Sequence, residues 1–475
     1  MTGSAQGTEG PESPAPSLSA APGVPPALDL LSAWIESQIA YSGLPGLSIG
    51  IVHDQTLVWS RGFGRARLEP ARLATPDTLY RIASITKLFT STAIMQLRDA
   101  GKLRLDDPIV EHLPWFRLGR DHPDAPAVTI RHLLTHTAGL PREAGFPYWT
   151  DGEFPTAPQI QLRLVEQPAA LPTETEWKYS NLGLTLAGEI VASVSGRAYP
   201  EYVAEHILAP LGMGSTWVTT PPAEHADLAT GYTRRLPGES RQAAPHTDCA
   251  GITPAANMTT SVTDLARFAM LQFRDGAAGG AQILRGSTLR EMQRVHWLEP
   301  DWEAGWGLGF RIARVKGKTY VGHGGSLRGY RTIVHLCPAD RIGVIVLTNA
   351  DDGNPLPFAE KAFQWVAPAI LKAAAPSAPA GPPPGWERYA GRYRSPWGDA
   401  QVLLVDGRLA IIDPSLPDPM LGVIWLHPTA EHTFRGETKI GFGSHNEPVV
   451  FIPGDDGRVA RLKVGENFLS PVADW

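Results

Sequence analysis

Tyr80-Arg81-Ile82-Ala83-Ser84-Ile85-Thr86-Lys87-Leu88-Phe89 opens a segment that runs on through Thr92, Ile94, Met95 and Leu97 to Gly101. Its apolar residues fall on most faces of a helix, which marks a helix buried inside a domain, and Gly101 suits its stop. A lysine in the first turns of such a helix is out of place, because a buried, unpaired ammonium is costly and tends to lose its proton. The i, i+3 spacing puts Ser84 and Lys87 on one face. A neutral amine beside a hydroxyl makes that hydroxyl a nucleophile, so the chemistry is expected here.

Around this segment the chain is 475 residues long, 43% hydrophobic and 19% charged. That length exceeds one ordinary core and predicts two domains. No apolar run reaches the roughly 18 residues that would span a bilayer. The net charge of −6 and the lack of basic clusters argue against nucleic acid or an anionic membrane as partner. Cys249 and Cys337 form no framework and no metal spacing. One disulfide is arithmetically open, while Cys337 in its apolar run reads as a small buried hydrophobe. Residues 1–26 are rich in Ser, Ala, Pro and Gly and hold no Lys or Arg. They read as a disordered tail without the basic start or apolar middle of a secretory signal, which predicts a cytoplasmic protein.

The catalytic-looking unit is predicted over 27–374. A helix at 27–41 precedes an apolar hairpin, 47–52 and 56–59, turning at His53-Asp54-Gln55. The helix after Ser84 leads into a helical stretch from 103 to 289, with segments at 129–135, 157–167, 181–195, 199–207 and 261–273. Strands follow at 307–315, 319–322, 330–337 and 341–348, the last two joined by the turn Pro338-Ala339-Asp340, and a helix at 355–374 closes the unit. Strands at both ends of a helical middle predict an α+β fold: one antiparallel sheet built from both chain ends, flanked by helices, with a helical lobe inserted and a cleft between the lobes. Residues 375–385, rich in Pro and Ala, read as a semi-rigid linker. From 386 to 475, strand-like runs alternate with turns such as Asp406-Gly407 and Asp455-Asp456-Gly457, predicting a small all-β barrel.

Three short motifs occur in order: Ser84-Ile85-Thr86-Lys87, Tyr179-Ser180-Asn181 and His323-Gly324-Gly325. Each alone has a plainer reading, as a chance Ser-x-x-Lys, a helix cap at Asn181, or a loop histidine. Together, with His132-Leu133-Leu134-Thr135-His136-Thr137-Ala138-Gly139-Leu140 and Trp306-Gly307-Leu308-Gly309-Phe310, the chain resembles the serine β-lactamase and penicillin-binding-protein superfamily. It is most similar to the branch of class C β-lactamases and their esterase and D-peptidase relatives. The second motif carries Tyr179 and the third His323 where the Ser-Asp-Asn and Lys-Thr-Gly versions carry Ser and Lys. The tail domain resembles the lipocalin-like barrel appended to many such hydrolases.

The resemblance implies a covalent acyl-Ser84 intermediate and no metal or organic cofactor. Ser84 at a helix N-terminus has backbone N–H groups directed at a developing oxyanion, and the resemblance adds the N–H of Ser326. Gly324 and Gly325 would let substrate backbone lie against the strand edge. Donors around Tyr179 would lower its pKa and make it base for Ser84 and acid for the leaving group, with the choice between Lys87 and Tyr179 as first base left open. Asn181 would orient Lys87 or hold the acyl carbonyl. His323 would hydrogen-bond Tyr179 or meet a substrate carboxylate. A lysine at that place is a permanent cation suited to the carboxylate of a β-lactam, whereas histidine is mostly neutral at pH 7. Esters and D-amino acid amides are therefore expected over penicillins as the small-molecule substrate. The alternative is a penicillin- or peptide-binding protein with little turnover.

Other candidates have structural readings. His132 and His136 sit i, i+4 like a zinc pair but lack the glutamate and third ligand, so both are expected to fix a loop. Tyr148, Trp149, Trp177, Trp302 and Trp306 are expected around the cleft rim. Glu174 and Glu176 are read as a solvated loop.

Overall fold

The computed structural model describes residues 17–119, 122–276, 279–375, 383–439 and 443–472. The chain divides after Ala374 into two compact units.

In the first unit the central strands Gly46–His53 and Ile342–Thr348 pair antiparallel, so the two ends of the unit meet at the middle of one sheet. Thr56–Arg67 and Arg72–Leu73 extend it on one side. Tyr330–Cys337, Lys318–Leu327, Arg311–Val315, Ala304–Trp306 and Trp297–Leu298 extend it on the other, giving nine strands. Both central strands are apolar and buried almost throughout, as strands covered on both faces must be. One face packs on Val24–Ser42 and the C-terminal helices of the unit, around Leu31, Ile35, Val344 and Val346. The other carries Val262–Leu271 and the inserted helices, whose side chains form one continuous core.

Several boundaries moved. The part of the predicted disordered tail from Ser17 to Pro26 is structured: Leu18–Ala20 form a short 3-10 turn and the first helix starts at Val24, where Val24 and Leu28 bury their side chains. Residues 1–16, and 376–382 of the linker, lie outside the described residues. The closing helix is two helices, Pro355–Trp365 and Ala367–Ala374. Pro368 lacks an N–H and clashes one turn back, so it fits the first turn of a new helix rather than the middle of an old one. The strand predicted at 319–322 runs on to Leu327, carrying the third motif with it.

The second unit is a closed eight-strand barrel. Asp406 and Gly407 both take positive φ, 48° and 74°, as a two-residue hairpin turn requires. Strands Thr433–Glu437 and Asn467–Val472, absent from the sequence reading, complete the closure. Its core gathers Tyr389, Phe434, Phe451 and Leu462.

Candidate active site

The helix at the first motif begins at Thr86 and ends at Asp99. Ser84 sits just ahead of it in the 3-10 turn Ala83–Ile85. Ala83 is held at φ 49°, a left-handed conformation costing a non-glycine residue roughly 1–3 kcal/mol. The sharp turn brings Ser84 to the cleft while both its neighbours stay buried. Lys87 is fully buried. Its Nζ lies 3.1 Å from Ser84 Oγ, 2.8 Å from Asn181 Oδ1 and 2.8 Å from the Ala255 carbonyl oxygen. Desolvation outweighs the attraction of Glu143 and lowers its pKa to about 7.

These three contacts suit a lysine that changes protonation state. An ammonium donates to all three oxygens. A neutral amine gives its two N–H groups to the two carbonyl oxygens, which can only accept, and turns its lone pair to the Ser84 hydroxyl. The orientation of Asn181 is set from behind: its Nδ2 donates to Glu143 Oε1 at 2.7 Å, and Glu143 Oε2 accepts the hydroxyl of Tyr148. The amide of Asn181 is thus engaged on both sides. Its helix, Asn181–Ser195, is capped instead by Ser180, whose Oγ accepts the Gly183 N–H at 2.9 Å.

Tyr179 donates its hydroxyl to Ser84 Oγ at 2.9 Å. Contrary to the lowered pKa expected from the donors around it, burial pushes this phenol up from its ordinary value, and neither the Ser84 hydrogen bond nor Arg142 reverses that. Tyr179 therefore stays protonated. Its ring stands 4.5 Å from that of His136 and 6.3 Å from that of Trp306, with Lys87 Nζ 4.9 Å from the ring centre. His323 does not hydrogen-bond Tyr179. Their rings are 6.2 Å apart, and His323 Nδ1 donates to the Gly324 carbonyl at 2.6 Å. Burial, with Lys87 nearby, drops its pKa to about 3, so it is neutral.

The third motif lies where its strand loses a neighbour. Pairing with Arg311–Val315 stops at Gly322, so from His323 to Leu327 one edge is free beside the Ser84 turn. Gly325 is required by that approach: a Cβ there would stand 2.1 Å from the Ile82 carbonyl oxygen. Gly324 is different, since a Cβ there meets nothing closer than 3.6 Å. Ser84, Tyr179, Asn181, His323, Gly324, Gly325 and Ser326 all line one cleft of about 590 Å³, and Lys87 lies beneath it.

Of the aromatic candidates, Trp149 and Trp177 line the cleft. Tyr148 and Trp306 pack beneath it, and Trp302 is 78% exposed. Glu174 is exposed, 3.7 Å from His132. His132 Nδ1 accepts the Thr129 N–H and His136 Nδ1 the Ser180 N–H, both at 3.2 Å, so both rings hold loops. Cys249 and Cys337 are buried and free. The sequence reading missed Glu143, Arg142 and the Ala255 carbonyl. Glu143 had a signal, a carboxylate three residues beyond Leu140, where the string already singled out ends. The carbonyl had none.

A model of the beta-lactamase family matches residues 31–368. The chain belongs to the beta-lactamase family. It is 29% identical over 335 residues to Beta-lactamase-like protein 2 of Dictyostelium discoideum, covering 69% of this chain and 60% of that protein. The chain thus spans about 60% of the length of the first curated relatives it matches. The octameric penicillin-binding protein homologue from Pyrococcus abyssi superposes with a TM-score of 0.63 at 28% identity, over 93% of this chain and 99% of that one. D-amino acid amidase from Ochrobactrum anthropi SV3 does so at 0.59 and 26%, over 73% and 98%. At the coarse level these relationships place the chain in the β-lactamase-like serine hydrolase family. Among its described residues no helix is long and apolar enough to cross a membrane.

Proposed function

We propose that this protein hydrolyses small esters or amides, carboxylic esters and D-amino acid amides ahead of β-lactams, through an acyl-Ser84 intermediate. The observation that carries the reading is one hydroxyl within 3.1 Å of both a neutralised lysine and a protonated phenol. Lys87 is the base: its lone pair takes the Ser84 proton as Oγ bonds the substrate carbonyl carbon. The N–H groups of Ser84 and Ser326 hold the resulting oxyanion. Tyr179 is the acid. Its hydroxyl proton goes to the leaving oxygen or nitrogen as the C–O or C–N bond breaks, and the Lys87 ammonium then restores the phenol. Water adds to the acyl-enzyme by the same groups in reverse, and Ser84 leaves with its proton returned. Asn181 and Glu143 keep Lys87 aimed throughout.

The substrate preference rests on His323. Held neutral, it offers no fixed cation where a β-lactam carboxylate would sit, and the likeness to a D-amino acid amidase points the same way. Turnover of a short-chain nitrophenyl ester, D-phenylalanine amide and nitrocefin should be compared, each with the Ser84→Ala variant. The ester or the D-amide is expected to lead, and all activity to vanish in Ser84→Ala. Nitrocefin turning over hundreds of times faster would end the substrate reading, and activity surviving in Ser84→Ala would end the mechanism.

A further inference from the structure

We propose that the cleft continues past Ser326 into a second, arginine-lined groove that binds a carboxylate at the far end of the substrate's acyl chain; this rests on Ser84 as the nucleophile. The cleft at Ser84 shares Trp149, Ser326 and Arg331 with an adjoining hollow of about 710 Å³, so the two form one depression. Tyr179, Asn181 and His323 line the first part and not the second. The groove therefore opens away from the phenol that serves the leaving group, on the acyl side.

Its wall carries three arginines and three carboxylates, and the two signs are unequally committed. Arg234 and Arg328 line it, are exposed, and make no ion pair or side-chain hydrogen bond among the described residues. The neighbouring carboxylates are already engaged: Arg241 holds Asp352 at 2.6 and 2.9 Å, and Asp351 accepts the Gly329 N–H at 2.7 Å and faces Arg331 at 3.4 Å. Glu239 is the remaining acid on the wall. Gly324 and Ser326 are exposed in alternation along the strand and share a face, and Arg328 is exposed in the turn that follows directly. Arg328 then lies two residues, about 7 Å, beyond the N–H proposed for the oxyanion. A dicarboxylic acyl chain bonded to Ser84 spans that interval and ends at the guanidinium, which binds carboxylate in a fork.

The test pairs two esters of equal chain length, mono-p-nitrophenyl adipate and p-nitrophenyl hexanoate. The wild type is expected to favour the adipate in kcat/KM by about tenfold at low salt, as two partly exposed charge contacts allow, and the preference should shrink at high salt. In Arg234→Ala/Arg328→Ala the preference should disappear with hexanoate turnover unchanged. Equal kcat/KM for the two esters, or equal losses on both in the double variant, overturns the proposal. Calorimetric titration of adipate monoester into Ser84→Ala, with and without the two arginine changes, gives a readout independent of turnover. Binding should weaken about tenfold when the arginines are removed. If neither ester is hydrolysed, the nucleophile reading fails and this titration alone decides the groove: arginine-dependent binding supports it, and arginine-independent binding or none overturns it.

Discussion

His136 brackets Tyr179. Its carbonyl oxygen accepts the Lys178 N–H at 2.8 Å, its ring Nδ1 accepts the Ser180 N–H at 3.2 Å, and the ring itself packs 4.5 Å from the tyrosine ring. One buried residue so fixes the backbone on both sides of the phenol, at the left-handed end of the helix Ile130–Thr135. His136→Phe keeps the packing and loses the ring acceptor. We expect kcat on an ester to fall by about ten- to a hundredfold with KM little changed, because a misplaced phenol harms the transition state more than binding. His136→Asn tolerates the left-handed backbone and should keep more activity. Wild-type kcat in His136→Phe would show that the bracket is dispensable.

The lowered pKa of Lys87 has a signed consequence for activity. With neutral Lys87 as base, kcat/KM for an uncharged ester should rise with pH through about 7 and then level off. His323 adds no limb above pH 5, being neutral there. A profile flat from pH 5.5 to 8.5 would remove Lys87 from the role of base. Those pH bounds bracket the value of about 7 by roughly 1.5 units.

Stability should respond to the same group. Folding depresses the lysine pKa from 10.5 to about 7, so between these values the unfolded chain binds the proton and the folded chain does not. Stability therefore gains with rising pH across that window and loses the gain below about 7. In Lys87→Met this contribution is gone. Denaturant titrations of both proteins at pH 6.5 and 9 should show the wild type gaining on the variant as pH rises, by roughly 2–3 kcal/mol. A constant difference would refute the depressed pKa.

Glu143 acts on Lys87 through charge as well as through Asn181, and its carboxylate raises the lysine pKa. Glu143→Gln should move the acid limb of kcat/KM to lower pH. A limb that stays in place or moves up would mean that Glu143 matters only as a hydrogen-bond acceptor.

The two glycines of the third motif should behave differently. Gly325→Ala drives a methyl onto the Ile82 carbonyl and should cost about 1–3 kcal/mol of stability together with activity. Gly324→Ala meets only ordinary contacts, so its melting temperature should be unchanged while KM rises if substrate lies on that edge. Thermal melts and ester kinetics on both variants separate the cases. An equal loss of stability in both would contradict the geometry.

Much of this arrangement was legible beforehand because it is local. Ser-x-x-Lys at a buried helix start, the helix Asn181–Ser195 and the Asp406-Gly407 hairpin follow from periodicity and turn chemistry acting over a few residues. Two barrel strands escaped, since Thr433–Glu437 carries two charges and a glycine that blur its alternation, and Asn467–Val472 contains a proline. The short strands Trp297–Leu298 and Ala304–Trp306 were equally invisible, because two or three residues make no period.

By itself the chain's order of residues singled out Ser84, Lys87, Tyr179 and His323 as candidates and marked most of the longer helices and strands, because spacing along the backbone decides what shares a face. The neutral lysine was foreseen, but who holds the phenol's proton was decided only by the tertiary structure. Tyr179, left open beside Lys87 as the first base, is kept a phenol by burial against segments far apart in sequence, with Glu143 adding to the effect and Arg142 opposing it. Desolvation and charge act through space, so a protonation state cannot be read from neighbours along the chain.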